Sequence, residues 1–207
     1  MRKSLIAIPF LMLLLCGLAH ATIVEQTIAN ESWGLYPPST MSDYSQYMAA
    51  QSFVAPDAYL TEFTFLKLYR QGGGGGGHYY RMIVQKEEGG LAGETLYVGP
   101  EMYLGSLSTP FSLSLDPSSP IAMTMGDTYL VGLKPRSKAS DGLLVMGSYS
   151  NPYADGQFAP TDPTRWPDPG YDFDSAFRAE FAPGLPAFAL VGVAPLVGAA
   201  VRRLRRR

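Results

Sequence analysis

The segment 149–170 holds the side chains best suited to binding a ligand. Tyrosine, tryptophan, asparagine, aspartate and arginine alternate there with proline and glycine. Exposed aromatic rings stack on the apolar faces of sugars, while amides and carboxylates hydrogen-bond to hydroxyl groups. The sequence therefore predicts glycan contacts at Tyr149, Asn151, Tyr153, Asp155 and Trp166. Further aromatic lining is expected from Trp33 and Tyr36. The competing interpretation, which the sequence favours over a glycan site, is that the rings at 149, 153 and 166 cap the core beneath a proline-rich loop.

Aspartates in the same region raise the question of calcium, which binds several oxygen ligands held on loops. The residues concerned are Asp155, Asp162, Asp168, Asp172 and Asp174. They do not form a dense Asp-x-Asp-x-Asp-Gly loop, and Asp172 and Asp174 alternate with inward-facing residues of a predicted strand. We therefore expect solvated surface carboxylates and no cofactor, with calcium as the alternative.

The residues of common catalytic machinery are scarce. The only cysteine, Cys16, and one of the two histidines, His20, precede residue 22, which leaves His78 beside a run of six glycines. This composition disfavours disulfides, thiolate nucleophiles, structural zinc and a Ser-His-Asp triad. A glycoside hydrolase needs only two carboxylates. We expect no catalysis, and the alternative is an extracellular polysaccharide hydrolase that uses a carboxylate pair.

The chain that must position these residues consists of short extended segments. Period-2 alternation and turns every 8–12 residues predict an all-β antiparallel sandwich or jelly roll. The predicted strands are 22–28, 46–54, 60–70, 79–86, 95–98, 102–107, 111–115, 121–125, 128–133, 143–149 and 171–181. Residues 30–41 are predicted to form a loop, and the glycines at 72–77 a flexible hairpin connection between two partner strands. In the last strand, Phe173, Ser175, Phe177, Ala179 and Phe181 are predicted to face the core, and Asp172, Asp174, Ala176, Arg178 and Glu180 the solvent.

The N-terminus has the pattern of a secretory signal peptide. Arg2 and Lys3 precede an apolar run, and Ala19-His20-Ala21 forms a small-x-small cleavage site. Cleavage after Ala21 by signal peptidase, following passage through the Sec translocon, would begin the mature chain at Thr22. Residues 1–21 are therefore predicted to be a signal peptide, and residues 22–182 a β-sandwich ectodomain.

The C-terminus has three parts in fixed order. Pro183-Gly184-Leu185-Pro186 interrupts the preceding strand, residues 187–201 are uncharged and apolar, and a basic end follows at Arg202, Arg203, Arg205, Arg206 and Arg207. The apolar run is short for a bilayer span of about 20 residues, and basic residues beside a span resist translocation. The pattern predicts a C-terminal sorting or transmembrane signal over 183–207, with a hydrophobic helix in the apolar run and a cytoplasmic arginine end.

These last residues resemble PEP-CTERM sorting signals, in particular the variant V-P-L-P-A. The resemblance implies a temporary membrane anchor that an exosortase-type membrane protease removes, releasing the protein to the cell surface or extracellular matrix. The sequence departs from the commonest form, because Gly184-Leu185 stands between the prolines in place of glutamate. The alternative is a plain tail anchor that is retained. The ectodomain is similar to β-sandwich domains that precede such tails, through Gln51-Ser52-Phe53, Asp127-Thr128-Tyr129 and the segment 172–177.

The charge of the ectodomain differs from that of the whole chain. All 18 acidic residues lie within 22–182, but seven of the 16 basic residues lie outside it, so nine remain and the net charge is −9. Nucleic-acid binding needs clustered lysine and arginine, so DNA and RNA are not expected partners. The sequence predicts an exported structural, adhesive or glycan-binding protein whose partners are the export machinery, the membrane through its tail, and an extracellular polysaccharide.

Overall fold

The computed structural model describes residues 21–35, 48–71, 78–104, 110–135, 142–150, 152–160 and 173–184. Strands make up most of these residues, and no helix occurs among them. The strands are β1 (Thr22–Gln26), β2 (Glu31–Leu35), β3 (Ala49–Val54), β4 (Tyr59–Gln71), β5 (His78–Glu88), β6 (Leu91–Val98), β7 (Met102–Leu104), β8 (Phe111–Leu115), β9 (Ile121–Ala122), β10 (Thr128–Pro135), β11 (Gly142–Ser148), β12 (Phe158–Pro160), β13 (Asp174–Ser175) and β14 (Phe177–Ala182).

The strands form two antiparallel sheets. The first sheet has the order β1-β14-β4-β11-β13, with β8 and β9 also paired to β4 and β2 paired to β11. The second sheet has the order β12-β3-β10-β5-β6, with β7 also paired to β5. The predicted all-β class with two antiparallel sheets is confirmed, and the arrangement is sandwich-like.

Phenylalanine rings fill the space between the two sheets. Phe53 of β3 lies with its ring centroid 6.0 Å from that of Phe63 in β4 and 5.6 Å from that of Phe181 in β14. Phe65 and Phe158 make a second contact between the sheets at 6.2 Å. All five side chains are fully buried. Full burial of a phenylalanine is worth about 2–3 kcal/mol, so these contacts are a major source of stability.

The first and last strands are neighbours. Thr22 lies opposite Phe181, and Gln26 lies opposite Phe177, in the antiparallel pair β1–β14. The hydroxyl of Thr22 also donates a hydrogen bond to the carboxylate of Asp57. The two ends of the described domain therefore leave the first sheet side by side.

The predicted hairpin around the glycine run is wrong. β4 belongs to the first sheet and β5 to the second, so they are not partners, and the connection crosses between sheets. Packed sheets lie about 10 Å apart, and six residues can reach about 20 Å, so the connection is long enough. The glycines themselves lie outside the described residues. A two-residue turn occurs instead between β5 and β6, where Gly89 and Gly90 have φ of 62° and 81°.

The predicted loop 30–41 also needs correction, because Glu31–Leu35 forms β2. This strand pairs with β11 from Glu31 opposite Gly147 to Leu35 opposite Leu143. Pairing with an available sheet edge decides strand formation more strongly than local composition does. The rest of the predicted loop, residues 36–41, lies outside the described part of the chain.

Candidate functional site

The connection between β11 and β12 is the described part of the predicted glycan site. It contains Tyr149, Tyr153 and Asp155, whereas Asn151 and Trp166 lie outside the described residues, as does Tyr36. Residues 149–157, with position 151 excepted, are called the Tyr149 loop below. Tyr149 and Ser150 form a turn directly after β11, and Ala154 and Asp155 form another.

Tyr149 presents an aromatic ring at the surface. Its side chain is 46% exposed, and its ring centroid lies 4.9 Å from that of Phe173 at an interplanar angle of 57°. Its backbone N–H donates to Oε2 of Glu31 over 2.5 Å. Contact with a buried phenylalanine restrains the ring, so its exposed surface can stack on a ligand at little cost in side-chain entropy.

Tyr153 occupies a different environment in the same loop. Its ring lies edge-on to Phe177, with centroids 5.3 Å apart at 78°, and its hydroxyl oxygen accepts from the N–H of Val54 over 3.4 Å. Burial raises the pKa of Tyr153 to about 12. The Tyr153 ring therefore packs against the edge of the core at Phe177. Asp155, two residues later, is exposed.

Close backbone contacts hold the Tyr149 loop against β3. Ser52 N–H donates to the carbonyl of Gln157 over 2.8 Å, and Gln157 N–H donates to Oγ of Ser52 over 2.8 Å. Gly156 lies so close to β3 that a Cβ atom added there would come within 2.0 Å of the Ser52 carbonyl oxygen. Only glycine allows this approach, and the loop is consequently fixed at its base.

A buried polar cluster lies beneath the loop and joins the two sheets. Oδ1 of Asp174 accepts from Nε2 of Gln51 over 3.0 Å, and Oδ2 accepts from the N–H of Tyr153 over 3.0 Å. Oε1 of Gln51 accepts from both the N–H and the hydroxyl of Ser175, each over 2.9 Å. Asp174, Gln51 and Ser175 are all fully buried. Such a cluster is tolerated in a core because its polar atoms are hydrogen-bonded.

The side chain of Gln26 reaches the same cluster from β1. Its Nε2 donates to the carbonyls of Asp174 and Ser175 over 3.3 and 3.2 Å. Its own amide oxygen accepts from the N–H of Ile28. The first strand therefore contributes both a sheet edge and a polar contact to the site.

The predicted outward positions of Asp174 and Ala176 are wrong, because both residues are buried. Regular alternation fails at Ala176, where β13 and β14 meet. Ala176 N–H donates to the Met146 carbonyl over 2.8 Å, and its own carbonyl accepts from Leu66 N–H over 2.9 Å. This change of partner strand brings consecutive side chains to the interior. The predicted inward positions of Phe173, Ser175, Phe177, Ala179 and Phe181 are confirmed.

The carboxylates considered for calcium are separated in the described chain. Asp155 is exposed and Asp174 is fully buried, while positions 162, 168 and 172 are not described. Among the described residues, no three histidine, cysteine, aspartate or glutamate side chains lie close enough to hold a metal ion. Asp174 is enclosed by protein groups, so its carboxylate serves the fold and cannot contact a polysaccharide in this arrangement. The backbone of His78 begins β5.

The start of the predicted sorting signal follows β14 directly. Pro183 and Gly184 are half-buried, and a Cβ atom added to Gly184 would lie 3.0 Å from that of Ala58. Leu185, Pro186 and the arginines at 202, 203, 205, 206 and 207 lie outside the described residues. Within the ranges described, no helix is long and apolar enough to cross a membrane. The predicted signal peptide and C-terminal helix lie beyond those ranges and stay predictions.

Comparisons with known proteins give no family for this chain. No protein-family model matches it, and no curated protein matches it significantly.

Proposed function

We propose that this chain is exported, sorted through its C-terminal tail to the cell surface or extracellular matrix, and acts there as a structural, adhesive or glycan-binding protein. The leader at residues 1–21, the Pro183–Pro186 motif and the basic end support the export and sorting part of the proposal. The sandwich-like domain between them is the part that acts outside the cell.

The Tyr149 loop lies at the opposite end of β14 from the two ends of the domain, and this position supports the proposal. Thr22 and Phe181 are paired at one end of β14, whereas Tyr153 contacts Phe177 at the other. Phe177 and Phe181 are four residue steps apart, which along a strand is about 13 Å. The end of the domain from which the tail leaves would therefore lie away from this loop, so the loop would be accessible to ligands both before and after the tail is removed.

A neutral polysaccharide is the ligand that the loop supports best. A restrained, exposed tyrosine with Ser150 and Asp155 on adjacent turns provides a stacking surface and hydrogen-bonding groups. The ectodomain charge of −9 repels acidic polymers. Glycan binding by this surface would attach the protein to a matrix without any catalytic step.

Binding measurements test this function. The protein is applied to immobilised neutral and acidic polysaccharides, and Tyr149→Ala is compared with Tyr59→Ala. Tyr59 is a suitable control because it is 38% exposed and lies opposite Ala182, at the end of the domain from which the tail leaves. We expect binding to neutral polymers that only Tyr149→Ala weakens, by about tenfold. Full binding by Tyr149→Ala, or no binding by the unaltered protein, would overturn the glycan site, and release of reducing sugar would indicate the hydrolase instead.

A further inference from the structure

The contact between Ser175 and Gln51 places a hydroxyl nucleophile beside an amide. The hydroxyl of Ser175 donates to Oε1 of Gln51 over 2.9 Å, and the N–H of the same residue donates to the same oxygen over 2.9 Å. A backbone N–H can only donate, so the amide oxygen must point toward Ser175 and the amide nitrogen away from it. The N–H remains on that oxygen while the hydroxyl attacks, and a donor on a carbonyl oxygen polarises the carbonyl carbon and stabilises negative charge on the oxygen.

A carboxyl group lies at the nitrogen that would leave. Oδ1 of Asp174 is 3.0 Å from Nε2 of Gln51, and Asp174 immediately precedes Ser175 in the chain. The second oxygen, Oδ2, is held by the N–H of Tyr153 over 3.0 Å, which fixes the orientation of the carboxyl group. Nucleophile, polarised carbonyl and proton-transfer group are thus assembled at one amide, as acyl transfer requires.

We propose that Ser175 and Gln51 form an intramolecular ester that links the two sheets. The Oγ atom of Ser175 bonds to Cδ of Gln51, the Cδ–Nε2 bond breaks, and ammonia leaves. The hydroxyl proton passes to the departing nitrogen, with the Asp174 carboxyl as the transferring group. The hydrogen-bonded arrangement described above is the state before the bond forms. The reaction is an exchange of amide for ester and consumes no oxidant, cofactor or second substrate.

Burial and composition both favour this modification. All three residues are fully buried, so water that would hydrolyse an ester is excluded from the site. Gln51 and Ser175 are 124 positions apart in the chain and belong to different sheets, so the bond would close a long loop. The region from residue 22 onward contains no cysteine, so a disulfide cannot provide this kind of link.

Peptide mass spectrometry of the purified full-length protein tests the ester. Trypsin would release Gln51 in the peptide ending at Lys67, and Ser175 in the peptide 166–178. We expect these two peptides to be joined, with a mass lower by one ammonia than their sum, and to separate after mild alkali. Recovery of both as separate, unmodified peptides would overturn the proposal, and so would loss of ammonia without joining.

Two variants distinguish a loss of ester formation from a loss of the folded structure around Ser175. Ser175→Ala removes the hydroxyl but keeps the backbone N–H on the Gln51 oxygen, so it should fold and show no joined peptide. Asp174→Asn should join far less than the unaltered chain, and its circular dichroism spectrum shows whether it is folded. A joined peptide in Ser175→Ala would contradict the assignment of the nucleophile. Complete joining in folded Asp174→Asn would contradict the part assigned to the carboxyl group.

Discussion

Thr22 lies directly opposite Phe181 in the antiparallel pair of the first and last strands. The predicted leader and the predicted sorting tail therefore join the domain at one end of one sheet. The pairing of β14 with β1 and β4 ends before Pro183, so the described strands do not include the residues of the tail. Removal of the tail should therefore leave the domain intact.

A chain that starts at Thr22 and stops after Gly184 should keep its fold. We expect the same β-type circular dichroism and a melting temperature within about 3 °C of that of the chain carrying the tail, since no strand is lost. A second chain that starts at residue 28 serves as the control, because it lacks β1 and the contacts of Gln26 with Asp174 and Ser175. Equal melting of the two shortened chains would contradict the importance of β1.

Replacing Asp174 with alanine should destabilise the domain by about 2–4 kcal/mol, because the Gln51 amide and the Tyr153 N–H lose a buried acceptor. Asp116→Ala is the matched control, since Asp116 is exposed, and should change the free energy of unfolding by less than about 0.5 kcal/mol. Urea unfolding measures both. If the two variants changed the free energy of unfolding by similar amounts, the hydrogen bonds of the buried cluster would not contribute specifically to stability.

Tyr153 should make stability fall at high pH. Its pKa is raised from 10.0 to about 12, chiefly by burial, so the folded state favours the neutral phenol. The resulting stability is fully present below pH 10 and is lost as the pH rises to about 12. Tyr153→Phe should flatten this part of the stability–pH curve relative to the curve of the unaltered chain. If the stability–pH curve of Tyr153→Phe were the same as that of the unaltered chain, the loss of stability at high pH could not be attributed to Tyr153.

Gly156→Ala should cost about 2–3 kcal/mol, because the new methyl group would collide with the Ser52 carbonyl at 2.0 Å. It should also weaken polysaccharide binding, since it displaces the base of the Tyr149 loop. Gly93→Ala is the control, because the three atoms nearest to a Cβ added there all belong to the Glu88 side chain, which is exposed and can move. Thermal unfolding compares the two variants. An equal decrease in melting temperature for both would argue against close packing at Gly156.

Sequence alone predicts the strand content and most inward faces of this fold, because alternation is a local property. The inward position of Gln51 follows from its place between Ala49 and Phe53 in β3. Its partner does not follow, since 123 positions separate Gln51 from Asp174 and the change of strand partner at Ala176 depends on Leu66 and Met146. The separation of β4 and β5 into different sheets is likewise a property of the whole fold.

The candidate site was only partly predictable for the same reason. The composition of the loop indicates that Tyr149 and Tyr153 belong to one surface segment. Their different environments depend on Phe173 and Phe177, which come from the last part of the domain. The hydrogen bond between Gln157 of the loop and Ser52 also joins residues that are far apart in the sequence, so it could not be predicted from local patterns.

Export and sorting through the tail would decide where this protein acts. The most direct test is the intact mass of the mature protein from its native host, determined together with the cell fraction that contains it. We predict a chain that starts at Thr22, lacks the residues after about Pro186, and is found at the cell surface or in the medium. A chain that still ends at Arg207 and stays in the membrane fraction would contradict sorting and indicate a retained anchor.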